Sequence, residues 1–222
     1  LGVSPDAGFP TDWSRTHHVT WSVPVPGKGA SSPIVVGNRV YLTAQTADTG
    51  LHVLAIDRST GAITWDRELA QGTGKAHQLH NMATPTAVSD GRLVWALFGT
   101  GYLACLSADG QGVWQRNLGK EYGPYTANHG YGSSPMLLNG RLFITMMHQG
   151  PSYLLAVDAR TGTNLWKVDR NLGAREEAND SYSSPLVVHD GDRTDVVLAG
   201  AEAVTARTCS TSSTARRASR SP

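Results

Sequence analysis

Three features of the sequence predict an all-β fold built from a repeated unit of about fifty residues. A small-polar-Pro triplet recurs four times, hairpin turns follow it at fixed offsets, and a tryptophan closes each of the first three units. The triplets are Ser31-Ser32-Pro33, Ala83-Thr84-Pro85, Ser133-Ser134-Pro135 and Ser183-Ser184-Pro185, with proline spacings of 52, 50 and 50 residues. A fixed period of this length marks supersecondary units that bury their faces against one another.

Each unit reads as four strands. The triplet leads into an apolar run: Ile34-Val35-Val36, Thr86-Ala87-Val88, Met136-Leu137-Leu138 or Leu186-Val187-Val188. Gly37-Asn38, Asp90-Gly91 and Asn139-Gly140 then supply the positive φ of a tight hairpin. Second strands follow at 40–43, 93–97 and 142–145, and third strands at 51–56, 102–106 and 153–157. An acidic-Gly turn comes next, at Asp57–Gly61, Asp109-Gly110 and Asp158–Gly162. The fourth strand carries Trp65, Trp114 or Trp166. A lone four-stranded sheet has two edges and too little core to stand by itself. Radial packing protects the edges and covers both faces, which predicts a β-propeller of four-stranded antiparallel blades.

The stretches 54–65 and 155–166 each run apolar strand, Asp, Thr-Gly, then a strand ending in Trp. They resemble the pyrroloquinoline-quinone-like (PQQ-like) β-propeller repeat of bacterial proteins, the superfamily of the β-barrel assembly lipoprotein and the quinoproteins. The middle copy departs from it, because Ser107-Ala108-Asp109-Gly110 is shorter and lacks the Thr. The resemblance spans about residues 19–206. It implies that Trp65, Trp114 and Trp166 are structural anchors between blades, and that the ring has seven or eight blades.

Blades are expected at about 31–69, 84–119, 133–170 and 183–206, a partial ring of about three and a half blades in a domain of residues 1–206. Residues 19–25, with Trp21, read as a ring-closing strand. The chain starts at Leu1 and reads as truncated or processed. From Arg207 the pattern breaks: Arg216 stands where the period places a Trp, and no Thr-Gly turn precedes it. Residues 207–222 are expected to be a disordered or frameshifted tail that leaves the last blade with an open edge available for pairing with a second copy.

The 222 residues are 40% hydrophobic and 17% charged, with a formal charge of +1. That balance argues against a nucleic-acid partner, and no apolar run is long enough for a transmembrane helix. Two cysteines, Cys105 and Cys209, carry no argument for a disulfide. With the resemblance, this composition points to a periplasmic or secreted protein, although no signal peptide is present in the chain.

Chemistry is best sought where the chain enters each blade, on loops that line the mouth of a propeller channel. Those loops carry the ligand-binding candidates His77, His80, Asn81, Asn128, His129, Tyr131, Asp180 and Tyr182. His77, His80 and His129 could share a metal only through a helix-like turn, so no metal site is assigned. Glu176-Glu177 reads as a solvated pair, His148 as a packing residue and His17-His18 as exposed. No nucleophile elbow, phosphate loop or Cys-x-x-Cys pair occurs, and no catalytic residue is assigned.

The first functional reading is a non-catalytic binding scaffold that takes a protein partner or small ligand on these loops, with no cofactor. The alternative is a fragment of a PQQ-dependent oxidoreductase. In that group the resemblance implies PQQ stacked on a Trp against an adjacent-cysteine disulfide, with Ca²⁺ held by Glu, Asn and Asp; this chain has no adjacent cysteines. A carbohydrate-binding or carbohydrate-cleaving propeller is a weaker alternative, suggested by Tyr122, Tyr125, Tyr131 and Tyr182.

Overall fold

The structure is a computed structural model and describes residues 7–209. Blade 1 comprises β1 (Ile34–Val36), β2 (Arg39–Gln45), β3 (Gly50–Asp57) and β4 (Ile63–Gln71). Blade 2 comprises β5 (Val88–Ser89), β6 (Leu93–Leu97), β7 (Tyr102–Ser107) and β8 (Gly112–Asn117), followed by a short helix α1 (Leu118–Tyr122). Blade 3 comprises β9 (Met136–Leu138), β10 (Arg141–Met146), β11 (Tyr153–Asp158) and β12 (Asn164–Asp169). Blade 4 has three strands, β13 (Leu186–Asp190), β14 (Arg193–Gly200) and β15 (Ala203–Thr208). Every sheet is an antiparallel meander in chain order, so the all-β propeller architecture is as expected.

Each complete blade repeats one cross-strand row. Ile34–Tyr41–Ala55–Trp65, Val88–Trp95–Cys105–Trp114 and Met136–Phe143–Ala156–Trp166 are successive register partners. A small residue always stands opposite the tryptophan. The register slips by one residue directly before each Trp, leaving Thr64, Val113 and Leu165 without a partner. Such a bulge bends the strand and re-aims the next side chain, and here it turns the indole onto the following blade.

There the tryptophans meet the acidic-Gly turns. Trp65 Nε1 donates to the carbonyl of Ala108 (3.0 Å) and Trp114 Nε1 to that of Ala159 (3.0 Å). Their ring atoms lie so close over Gly110 and Gly162 that a Cβ there would sit 2.8 Å away. The same glycines adopt φ of +84° and +74°, where a side chain is disfavoured. Arg67 and Arg116 add side-chain hydrogen bonds to the carbonyls of Gly110 and Gly162 (3.0 and 2.7 Å). Trp166 instead lies under the Arg207 guanidinium, 4.4 Å from the ring centre.

A second inter-blade link explains the triplets. Ser32 N donates to Thr86 Oγ1 (3.0 Å), Thr86 N to Ser134 Oγ (2.9 Å), and Ser134 N to Ser184 Oγ (2.8 Å). In blade 2 the linking hydroxyl belongs to Thr86, two residues past Thr84. Buried apolar clusters fill the three spaces between blades, centred on Tyr41, Phe98 and Met82, then on Trp95, Ile144 and Leu155, then on Phe143, Val196 and Leu198.

Two segments stand at the ends of the blades. Residues 19–25 pair with no strand among the described residues. Trp21 nevertheless docks on blade 1 as the repeat requires, with Nε1 on the Arg58 carbonyl (2.8 Å) and its ring over Gly61. Arg207 and Thr208 belong to β15, so the pattern break in the sequence falls inside a strand; residues 210–222 lie outside the described residues.

The turn carboxylates cap backbone N–H groups. Hydrogen bonds from Thr60, and then from Ser59 and Asn38, hold Asp57 below its ordinary value of 3.8, and those from Thr161 do the same for Asp158. A lowered folded-state value gives stability that is complete above the unfolded value and is lost as pH falls through the folded one. The melting temperature is therefore expected to fall as pH drops below about 3.8. Asp57→Asn, which keeps an acceptor but cannot titrate, should flatten that slope in a pH series of thermal melts.

Candidate functional site

The entry loops of blades 2, 3 and 4 come together at one end of the sheets. An antiparallel bridge, Ala76–Gly130, ties the first loop to the second, and His77 N donates to the His129 carbonyl (2.9 Å). The third loop joins through Tyr182, whose hydroxyl accepts from His129 N (3.1 Å), and through Asp180, whose Oδ2 accepts from Asn128 N (2.5 Å). Lys75 Nζ donates to Asn128 Oδ1 (2.9 Å). Backbone-anchored loops on a sheet scaffold give a surface of defined shape.

His77, His80, His129 and Tyr182 line one shallow, open cleft of about 520 Å³ together with Leu79, Thr84 and Gly132. The His77 and His129 rings meet edge to face, 5.5 Å between centroids, and His129 lies 6.1 Å from Tyr182. Thr84 Oγ1 bonds His80 Nδ1 (3.1 Å). Burial pushes the Tyr182 phenol up, and Asp180 and Glu177 add to that. Asn128 and Asp180 sit beside the cleft rather than in it, and Asp180 Oδ1 is buried with no hydrogen-bond partner among the described residues.

Two sequence-predicted residues lie elsewhere. Tyr131 is a core side chain between blades 2 and 3, with its hydroxyl on the Thr145 carbonyl (2.7 Å). Asn81 bridges the lead segment to blade 2, donating to the Lys28 carbonyl and accepting from Ala83 N, each at 2.9 Å. Leu79 in the cleft and Glu177 beside it are not among the candidate residues of the sequence. Leu79 is 80% exposed at the rim, and an apolar residue between two histidines was its signal. Glu177 was read as a solvated acid, yet its Oε1 lies 3.0 Å from His129 Nε2. Both partners are about half exposed, so that pair adds orientation more than stability.

The histidines do not gather as metal ligands. Among the described residues, the one set of three ligand-type groups within reach of each other is Asp12, His17 and His18, all exposed in the lead segment. His148 is buried as expected, with Nδ1 on Thr126 Oγ1 (2.7 Å), and burial lowers its pKa.

The tryptophans of the blades do not offer a stacking face for a quinone. Trp65 and Trp114 are packed onto neighbouring turns, Trp95 is buried, and Trp166 is covered by Arg207. Cys105 and Cys209 are free and belong to different blades, and burial pushes the Cys105 thiol up to about 12. Of the four tyrosines that suggest a sugar site, Tyr182 is exposed in the cleft and the other three are engaged elsewhere. Tyr125 and Tyr131 are buried, and the Tyr122 hydroxyl is held by Arg116 and Asn164.

Below the cleft, the first strands of all four blades line an apolar groove of about 570 Å³ that includes Ile34, Val88, Met136, Leu138 and Leu186. This is the channel side of the partial ring.

No curated protein matches the chain. Solved structures do. BamB from Moraxella catarrhalis superposes with a TM-score of 0.53 at 17% identity, over 82% of this chain and 52% of that one. Quinohemoprotein alcohol dehydrogenase from Comamonas testosteroni gives 0.54 at 16% identity, over 78% of this chain and 29% of that one. The chain thus spans about half of the first protein and under a third of the second, and at these identities both establish the fold alone. No helix among the described residues is long and apolar enough to cross a membrane. The family model described as outer membrane protein assembly factor BamB matches residues 12–145, more than half of the sequence, and the chain belongs to this PQQ-like propeller family.

Proposed function

We propose that this chain is a non-catalytic propeller that binds a protein partner on its entry-loop face, in the periplasm, in support of outer-membrane protein assembly. The observation that carries this reading is the chemistry of the cleft. Its polar groups are largely satisfied by one another and by backbone, whereas Leu79 and Tyr182, 80% and 40% exposed, are left facing outward. An exposed aliphatic and an aromatic on a rigid, hydrogen-bonded base suit an anchor for protein docking. The description of the family, an outer membrane protein assembly factor, supports the same reading.

The test is biolayer interferometry of the full chain against an unfolded outer-membrane β-barrel precursor, with Leu79→Asp and Tyr182→Ala as variants. Saturable binding is expected, weakened by at least about 10-fold in Leu79→Asp, the scale of a modest hot spot. Absence of binding, or equal affinity in all three proteins, would overturn the reading. Saturable quinone and Ca²⁺ binding with alcohol oxidation would replace it with the oxidoreductase.

A further inference from the structure

We propose that Asp12, His17 and His18 hold a zinc ion in the lead segment ahead of blade 1. The site is separate from the entry-loop cleft, and the inference is independent of the partner-binding reading.

One ligand-type atom from each of the three residues lies within 4.8 Å of the other two. His17 Nε2 and Asp12 Oδ2 are 3.4 Å apart. Zinc takes imidazole nitrogen and carboxylate oxygen at about 2.0–2.2 Å in a tetrahedron, which sets neighbouring ligand atoms about 3.3–3.6 Å from each other. The His17–Asp12 spacing is the edge of such a tetrahedron. It is longer than an ordinary N–H···O hydrogen bond, about 2.7–3.2 Å.

The backbone brings the two rings together. Along an extended chain, neighbouring side chains point to opposite sides. His18 instead adopts a φ of +56°, a left-handed conformation uncommon for a residue with a side chain. The His17 and His18 rings consequently lie 3.8 Å apart between centroids, tilted by 43°, beside the Asp12 carboxylate. The loop between the ligands is closed by its own hydrogen bonds. Ser14 N donates to the His17 carbonyl (3.1 Å), His17 N to the Ser14 carbonyl (3.4 Å) and Thr16 N to Ser14 Oγ (3.3 Å).

The His18 ring is oriented as a metal ligand's is. Its Nδ1 lies 2.8 Å from the Asp12 carbonyl. A carbonyl only accepts, so Nδ1 carries the proton and Nε2 of the neutral ring keeps the lone pair. Metal-binding histidines regularly make this second bond, which fixes both the tautomer and the ring direction.

Stability does not account for the arrangement. The Asp12 and His17 side chains are 78% and 59% exposed, and an ion pair in such a place contributes little. Two imidazoles and a carboxylate suit zinc, whereas Ca²⁺ and Mg²⁺ take oxygen ligands. With three protein ligands, the fourth position of the ion goes to solvent or to an incoming group. Bound there, zinc would tie Asp12 to His18 and hold in one loop the chain that leads to Trp21, the residue docked on blade 1.

The test is isothermal titration calorimetry of the full chain, carrying no affinity tag, with zinc chloride in the presence of excess Mg²⁺. One ion per chain is expected. Asp12→Ala and His18→Ala should each weaken binding by at least about 10-fold, the scale on which metal affinity responds even to groups behind the ligands. His189→Ala, an exposed histidine of blade 4 that bonds Thr194, should keep the wild-type affinity. Circular dichroism checks that the variants remain folded. As an independent readout, Co²⁺ in place of zinc should give the intense visible absorption of a four-coordinate ion, and His18→Ala should lose it. No saturable zinc binding, unchanged affinity in Asp12→Ala and His18→Ala, an equal loss in His189→Ala, or the faint spectrum of six-coordinate cobalt would each overturn the proposal.

Discussion

Trp65→Ala is expected to lower the unfolding free energy by about 3–5 kcal/mol, the range for removing a large buried aromatic. Trp65 is 7% exposed and packs on Tyr41, 5.8 Å between centroids, on one side and on the Gly110 turn on the other. Its loss opens the space between blades 1 and 2 and strips the Ala108 carbonyl of its donor. Stability of this kind is shared between blades, so the loss should lower the midpoint of a single urea transition followed by fluorescence and circular dichroism. Trp21→Ala provides the contrast. Trp21 makes the matching contacts from a segment outside any sheet, and its removal should cost clearly less. Equal losses at the two positions would show that the sheet does not set the value of this anchor.

Gly162→Ala is expected to cost about 2–5 kcal/mol, against about 1–2 kcal/mol for Gly140→Ala. Both glycines have φ above +70°, so each substitution carries the left-handed strain of a non-glycine residue, about 1–2 kcal/mol. At Gly140 nothing lies within 4 Å of the added Cβ, whereas at Gly162 the Trp114 ring lies at 2.8 Å. Overpacking of that kind costs about 1–3 kcal/mol more. If the indole contact is the cause, Gly162→Ala should cost much less in a Trp114→Ala background, a non-additivity readable in a double-mutant cycle. Additive losses would assign the whole effect to backbone strain.

The candidate site was legible where its residues precede a triplet. His77, His80, His129 and Tyr182 lie in blade-entry loops, and a fifty-residue period brings those loops to the same end of neighbouring blades. Tyr131 lies in the same kind of loop and has the same polar handle, yet its ring turns into the space between blades 2 and 3. Its direction follows from the packing of the Tyr125 and Tyr131 rings, 4.7 Å apart, which no spacing in the sequence encodes. Glu177 was missed because its partner, His129, is 48 residues away in a different blade entry.

The strands, the hairpin turns and the places of Trp65, Trp114 and Trp166 were determined by the sequence alone. Each follows from local signals: alternation of apolar residues, Asn-Gly and Asp-Gly turns, and a repeat that occurs often enough to align with itself. The tertiary structure decided what those residues touch. It aimed each tryptophan forward onto the next blade through a bulge, shifted the hydroxyl link from Thr84 to Thr86 in blade 2, and left Trp21 docked without a sheet while β15 kept an edge unpaired among the described residues. These are contacts between groups some forty to fifty-four residues apart in the chain. Their geometry comes from how one twisted sheet packs on the next, and a period in the sequence specifies that such neighbours meet without specifying which atoms do.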